Sequence, residues 1–212
     1  MKIAILGTGH VGGALGKRWA QTGHTVLFGT TNPQGEKVQT LLRACGESAS
    51  AHTHQEAASN AEVVLLAVPW AATQATLQAL GDLQGKPLLD ATNPLDEKGQ
   101  LTLGFDFSGG EQVAQWAQNA RVVKIFNSTG AGNMANSDYG AQKPSMFLCG
   151  DDPAAKTIAA ALAAEAGFEP IDSGGLVVSR SLEALTMLWI QLAYRQGYGP
   201  DIAFQLLKRP QK

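Results

Sequence analysis

The run Gly7-Thr8-Gly9-His10-Val11-Gly12 constrains this chain more than any other segment. It follows the short apolar stretch 2–6 directly and passes into Gly13-Ala14-Leu15, so a Gly-x-Gly-x-x-Gly pattern stands where a strand turns into a helix. Gly7 permits the tight turn, Gly9 lets the backbone approach a pyrophosphate closely, and Gly12 lets helix and strand pack. Free amides at the helix start, including those of Thr8, His10 and Val11, attract anionic oxygen. His10 is read as a contact through its backbone, not as a catalyst. With a second strand at 25–29, the pattern points to a dinucleotide-binding unit.

The chain has 212 residues, enough for one domain with a sizeable core. As far as residue 172, short β-rich runs alternate with Ala/Gln/Leu-rich stretches, the pattern of parallel strands joined by crossover helices. Strands are expected near 2–6, 25–29, 62–67, 87–90, 121–126, 145–149 and 168–172, with a weaker one near 48–51. Cap chemistry at Asn32-Pro33, Thr53/Glu56, Ser108/Glu111 and Asp152-Pro153 predicts helices at about 33–45, 54–59, 109–119 and 153–166. Another is expected from Trp70 to Leu80, stopped by Gly81. Beyond Asp172, the stripe Leu182, Leu185, Leu188, Trp189 and Leu192 predicts a long helix over 178–196, and Asp201 is expected to cap a short last helix ending at Lys208. The expected fold is α/β: a Rossmann-like, doubly wound, mostly parallel sheet over 1–172. Residues 173–212 form a small helical cap on the same compact unit.

Sixteen basic against eighteen acidic residues, with no basic run, speak against nucleic acid or an anionic membrane as a partner. Cys45 and Cys149 lie far apart without metal-ligand spacing, which fits a reducing cytoplasm better than a disulfide framework. No apolar stretch is expected to reach the ~20 residues of a membrane span, and no cleavage-like segment opens the chain.

About twenty residues after the glycine turn, where an NAD enzyme carries an acidic residue for the ribose diol, this chain has Gly29-Thr30-Thr31-Asn32. Two hydroxyls, the Asn32 amide and nearby Lys37 suit a 2′-phosphate, and so NADP over NAD. Ligands of such sheets sit at the carboxyl ends of the strands. There the chain places Val68-Pro69-Trp70, Asn93-Pro94 and Asn127-Ser128-Thr129-Gly130-Ala131-Gly132. Pro69 and Trp70 are expected to wall the nicotinamide ribose, and the small residues 130–132 to let a flat ring lie against the backbone. Turn chemistry alone would also explain the Asn-Pro and Gly-rich segments. No acid/base or nucleophile set accompanies them. Tyr139 and Lys143 have the spacing of short-chain dehydrogenases, but Gly140 and Pro144 make a shared helix face improbable. His52 and His54 lack a third metal ligand nearby, and His24 marks only the approach to the second strand.

The opening MKIAILGTGHVGGALGKRWAQTGHTVLFGT, the Val68-Pro69-Trp70 turn, VVKIFNSTGAGNMAN, the run Leu148 to Asp152 and IDSGGLVVSRSLEAL together resemble the coenzyme F420-dependent NADP oxidoreductases. The reductase domains of six-transmembrane ferrireductases, which use flavin, belong to the same wider group. The resemblance spans nearly the whole chain. It implies a homodimer, NADPH on Gly7, Thr8, Gly9, His10 and Val11, and the 2′-phosphate at Thr30, Thr31 and Asn32. It also implies a flavin-like acceptor (F420, FMN or FAD) against Ser128, Thr129, Gly130 and Ala131, with Leu207 in the tail as a further contact. The family commonly has Ser-Arg where Thr30-Thr31 stand, and bulkier residues in the 128–131 turn.

Hydride transfer from a nicotinamide to a flavin or deazaflavin ring needs mainly positioning, which accounts for the missing acid/base set. Three alternatives stay open: a non-catalytic NADP(H) sensor, a subunit feeding electrons to a partner protein, and a β-hydroxyacid dehydrogenase or imine reductase. The last needs a larger helical substrate domain than the forty or so residues after Asp172 provide.

Overall fold

A computed structural model describes residues 1–209. Strands and helices alternate from the start: β1 (Lys2–Leu6), α1 (His10–Gln21), β2 (Thr25–Gly29), α2 (Glu36–Cys45), β3 (Ala49–His52), α3 (His54–Ser59), β4 (Val63–Leu66), α4 (Trp70–Leu80) and β5 (Pro87–Asp90). Then come α5 (Gly109–Trp116), β6 (Arg121–Lys124), α6 (Ala131–Ala135), β7 (Ser145–Gly150), α7 (Pro153–Glu165) and β8 (Glu169–Asp172). A 3-10 turn (Leu176–Val178) leads into α8 (Ser179–Ile190), which ends in a π-helical turn (Gln191–Arg195). The strands form one eight-stranded sheet in the order β3-β2-β1-β4-β5-β6-β7-β8. All neighbours are parallel except β6 and β7. The chain reverses there because only the five-residue α6 and an irregular segment connect the two strands, instead of a full crossover helix.

Buried runs such as Ile3-Ala4-Ile5-Leu6 and Val63-Val64-Leu65-Leu66 are apolar on both faces, as a sheet covered on both sides requires. One layer packs Leu15 and Trp19 of α1 with Ala155, Ala159 and Leu162 of α7 against Ile5, Phe28 and Val123. The opposite layer packs Ala57, Leu77, Leu80 and Val113 from α3, α4 and α5 against Ala4, Leu6 and Val64. Trp19 is fully buried, donates its indole N–H to the Leu162 carbonyl at 3.1 Å, and meets Phe126 edge-on at 5.8 Å.

The capping boxes at Thr53/Glu56 and Ser108/Glu111 and the Asp152 cap all form, and Gly81 closes α4 in the left-handed region. Four expectations need correction. Asn32 does not cap α2: its carbonyl instead accepts from Gly35 N–H in a turn, and the helix starts three residues later than expected, with Gly35 as N-cap. The short helix after Asp201 is absent. Gly197 and Gly199 take positive φ, and the carbonyls of Pro200, Ile202 and Phe204, which a helix would use internally, accept from Asn133, from Trp189 and Asn133, and from Ser145. Helix α6 carries no cap or periodicity signal and is missing from the sequence reading. Finally, the continuous helical run Leu176–Arg195 is 20 residues long with mean hydropathy 1.3, so by length and composition it would reach across a membrane. Here it packs against the domain, with Ser179, Glu183 and Thr186 buried in polar contacts.

Candidate active site

In this strand order the chain direction switches between β1 and β4, whose crossovers leave toward opposite faces, and a crevice opens at their carboxyl ends. Its volume is 460 Å³, and its walls come from three loops: Gly9, His10 and Val11 after β1, Ala67 to Trp70 after β4, and Ala91 to Asn93 with Leu95 after β5. Among these lining residues His10 alone is titratable.

The three motif glycines separate by geometry. Gly7 has φ +110°, and a side chain there would run into the Ala67 carbonyl. Gly12 packs so tightly that a Cβ would meet the Gly7 carbonyl and, at 3.0 Å, Ile5 Cγ2. At Gly9 a Cβ would meet nothing within 4 Å. That open space, at an N-cap without a side-chain bond and a first turn without an acidic residue, leaves the amides free for an anion. The loop therefore fits a dinucleotide pyrophosphate. Gly16, on the inner face of α1, is also needed, because a Cβ would run into the Phe28 ring.

Thr30, Thr31 and Asn32 follow β2 at the same edge but do not line the crevice. Thr30 donates its backbone N–H to the His52 carbonyl at 3.0 Å, its hydroxyl accepts from Asn32 N–H, and Thr31 and Asn32 are exposed. Val68 and Pro69 line the crevice, as does Trp70, whose ring leans on Trp116 at 5.4 Å.

Asn93 and Asn127 come together. Asn93 donates its side-chain N–H to the Asn127 carbonyl at 3.0 Å and accepts from Asn127 Nδ2 at 3.2 Å. The two protons of Asn127 Nδ2 are shared between Asn93 Oδ1 and, at 3.1 and 3.0 Å, the Leu182 carbonyl and Thr186 Oγ1, so α8 closes over the pair. Thr186 had no signal in the sequence. Neither had Phe126, which adopts φ +62° just before Asn127. A buried bulky residue in the left-handed region costs about 1–3 kcal/mol and persists only where its surroundings fix it. Beside this pair Lys124 is completely buried between Asp90 and Glu183, each at 2.9 Å. Burial alone would lower its pKa, but the two carboxylates outweigh that and hold it above the ordinary lysine value. Cys149 nearby has its thiol pushed up to about 12, first by burial.

The 128–131 turn lies next to this network, outside the crevice lining. Ser128 is buried, and Thr129 Oγ1 accepts from Asn133 Nδ2 at 2.8 Å. Gly130 corrects the sequence reading: its open side is filled by the Trp189 indole, which a Cβ would meet at 2.7 Å, so the missing side chain serves that packing and not the approach of a ring. Ala131 begins α6. Asn133 and Trp189 also bind the tail, both donating to the Ile202 carbonyl, yet Leu207 at its far end is 78% exposed and is not brought to the crevice. Tyr139 and Gln142 form an isolated bridge around Gly140, so Tyr139 and Lys143 share no helix face. Among the described residues no three His, Cys, Asp or Glu side chains cluster as for a metal. His24 does more than lead into β2: its Nε2 meets Glu165 at 2.5 Å and its Nδ1 the N-terminal amine at 3.3 Å.

Comparison with known proteins agrees with this geometry. A family model described as NADP oxidoreductase, coenzyme F420-dependent, matches residues 2–94, the stretch from β1 through Pro94. The F420-dependent NADP reductase of Methanothermobacter marburgensis is 33% identical over 207 residues, covering 91% of this chain and 92% of that protein. A crystal structure from Arthrobacter sp. FB24, described as a candidate F420-dependent NADP-reductase, superposes with a TM-score of 0.89 at 31% identity, over 98% of this chain and all of that one. The metalloreductase STEAP3 of Rattus norvegicus is 30% identical over 88% of this chain, which spans 36% of that protein. On the strength of relatives at least 30% identical over about nine-tenths of its length, the chain belongs to the coenzyme F420-dependent NADP oxidoreductases, a family of oxidoreductase enzymes.

Proposed function

We propose that this protein passes a hydride between NADP(H) and a flavin or deazaflavin acceptor such as F420, FMN or FAD, at the crevice between β1 and β4. One observation carries the reading: the glycine loop opens onto a crevice whose only titratable lining residue is His10. A site of that kind orients the reacting rings for hydride transfer, and the reduced ring takes any proton it needs from solvent without a dedicated acid. Gly9, His10 and Val11 hold the pyrophosphate on their amides. Thr30, Thr31 and Asn32, with Lys37 close by in sequence, receive the 2′-phosphate, and Val68, Pro69 and Trp70 wall the nicotinamide ribose. When bound, NADPH supplies a hydride from nicotinamide C4 to the acceptor ring. The Asn93–Asn127 pair borders the nicotinamide end, and Ser128, Thr129 and Ala131 of the next turn lie on the acceptor side, with Gly130 given over to the Trp189 ring. The relatives named as NADP reductases support the choice of cofactor.

Thr31→Asp tests the cofactor assignment. It should weaken NADPH binding about 10- to 100-fold by placing a carboxylate against the phosphate, and leave NADH binding equal or tighter. Calorimetry showing equal affinities for the two cofactors in the parent, or no NADPH loss in the variant, contradicts it. The protein is also proposed to be a homodimer through α8, because Leu188 and Tyr194 are 49% and 65% exposed beside the buried Trp189. Light scattering that gives a monomer at micromolar concentration rejects that assembly.

A further inference from the structure

Two polar layers meet at the β5–β6 edge of the crevice, and each residue of one stands three positions before a residue of the other. Asp90, Lys124 and Glu183 form an ionic layer; Asn93, Asn127 and Thr186 form an amide and hydroxyl layer. Asp90 and Lys124 are register partners at the ends of β5 and β6, and Glu183 and Thr186 share one face of α8. The Lys124 ammonium donates to Asp90 Oδ2 at 2.9 Å and to the Thr92 carbonyl at 2.7 Å, and forms an ion pair with Glu183 Oε1 at 2.9 Å. Asp90 Oδ1 accepts from Thr92 N–H at 2.9 Å and from its hydroxyl at 2.7 Å. Thr92 and Asn93 line the crevice, so the ionic layer grips its wall directly. On its other side Glu183 accepts from the Gly109 and Gly110 amides, both at 2.9 Å, and so ties α8 to the start of α5. A Cβ on Gly110 would meet Ser179 Oγ at 2.8 Å, so α8 docks where the glycine pair leaves room.

Stability alone is a poor reason to keep such a trio, since well-packed apolar residues in place of buried ion pairs are often as stable or more so. What the trio adds is placement. We propose that Lys124, with Asp90 and Glu183, is a positioning residue for the hydride site: it fixes Thr92-Asn93 and the Asn127–Thr186 contact, and through them the seat of the nicotinamide. This rests on the reading of the crevice as the nicotinamide site.

The test compares binding of NADPH with binding of 2′-phospho-ADP-ribose, which lacks the nicotinamide, and needs no turnover. The parent should bind NADPH about 10-fold or more tightly than the fragment. The triple variant Asp90→Asn/Lys124→Met/Glu183→Gln should lose that difference while its fragment affinity stays within about 3-fold, because the glycine loop is untouched. Should the triple variant not fold, Asp90→Asn is read instead, as it leaves Lys124 paired with Glu183 and loosens only the side that grips Thr92. Thr186→Val should lose the difference as well, and Thr186→Ser, which retains the hydroxyl, should keep it; a purely structural role would not separate these two. A folded ionic-layer variant that discriminates as well as the parent overturns the positioning role. Equal binding of both ligands by the parent shows instead that the crevice does not seat the nicotinamide, and removes the proposal together with that reading.

Discussion

On the β1 side of the crevice the polar groups are backbone amides at the start of α1, left free because Gly9 has no side chain and makes no capping bond. On the β5–β6 side the polar groups are side chains, Asn93, Asn127 and Thr186, backed by the buried charges of Asp90, Lys124 and Glu183. The first wall is built within one βα turn, whereas the second needs two strands and a helix from the far end of the chain. They should therefore fail differently. A substitution at Gly9 harms binding and spares the fold; a substitution at Lys124 harms the fold first.

The largest effect is expected for Lys124→Ala, which leaves Asp90 and Glu183 buried without their cation. It should destabilise the protein by about 3–5 kcal/mol, seen in denaturant unfolding. A loss under about 1 kcal/mol would mean that the ionic layer is not closed as described. Gly9→Val comes next. Its side chain enters open space, so the melting temperature should stay within about 2 °C of the parent, while NADPH affinity falls about 100-fold as the pyrophosphate loses its approach to the amides. If stability and affinity fall together, the two walls are not separable.

A smaller effect sharpens the α5–α8 contact that carries the second wall. Arg180 donates to both oxygens of Glu111, at 2.9 and 2.7 Å, and with the Ser108 bonds holds its pKa at about 2, against 4.5 in a free side chain. Because the folded value is the lower one, the pair stabilises fully above pH 4.5 and loses its contribution as pH falls toward 2. Glu111→Gln should melt a few degrees below the parent at neutral pH, and the gap should close on acidification through that window. A gap independent of pH contradicts the pairing. Smallest of all, Cys149 should resist alkylation in the native protein, since burial holds its thiol near 12. Labelling at the rate of an unfolded cysteine would show that β7 opens to solvent.

The same contrast explains what the sequence could reveal. Glycine spacing, apolar strand runs and the Thr53 and Ser108 capping boxes are local signals, and the elements they indicate form nearly as expected. Asn93 and Asn127 stood out because each follows a strand. Thr186, Glu183 and Lys124 did not, because their meaning lies in contacts with residues 32 to 93 positions away. Phe126 reads as one more strand residue, although its φ of +62° bends the chain into the site. Gly130 misled for the opposite reason: small residues after a strand suggest a ligand, and here the occupant is Trp189 from the same chain. The last helix fails because carbonyls of the tail are taken by Asn133, Trp189 and β7, none of them near in sequence.

NADPH oxidation by the purified protein, followed in turn with F420, FMN, FAD, riboflavin and Fe(III) chelates, tests the central claim most directly. Turnover is expected with at least one tricyclic ring acceptor, and it should fall to background in Gly9→Val. Tight NADPH binding without turnover on any of the ring acceptors would contradict hydride transfer at this crevice and leave a nucleotide-binding protein in its place.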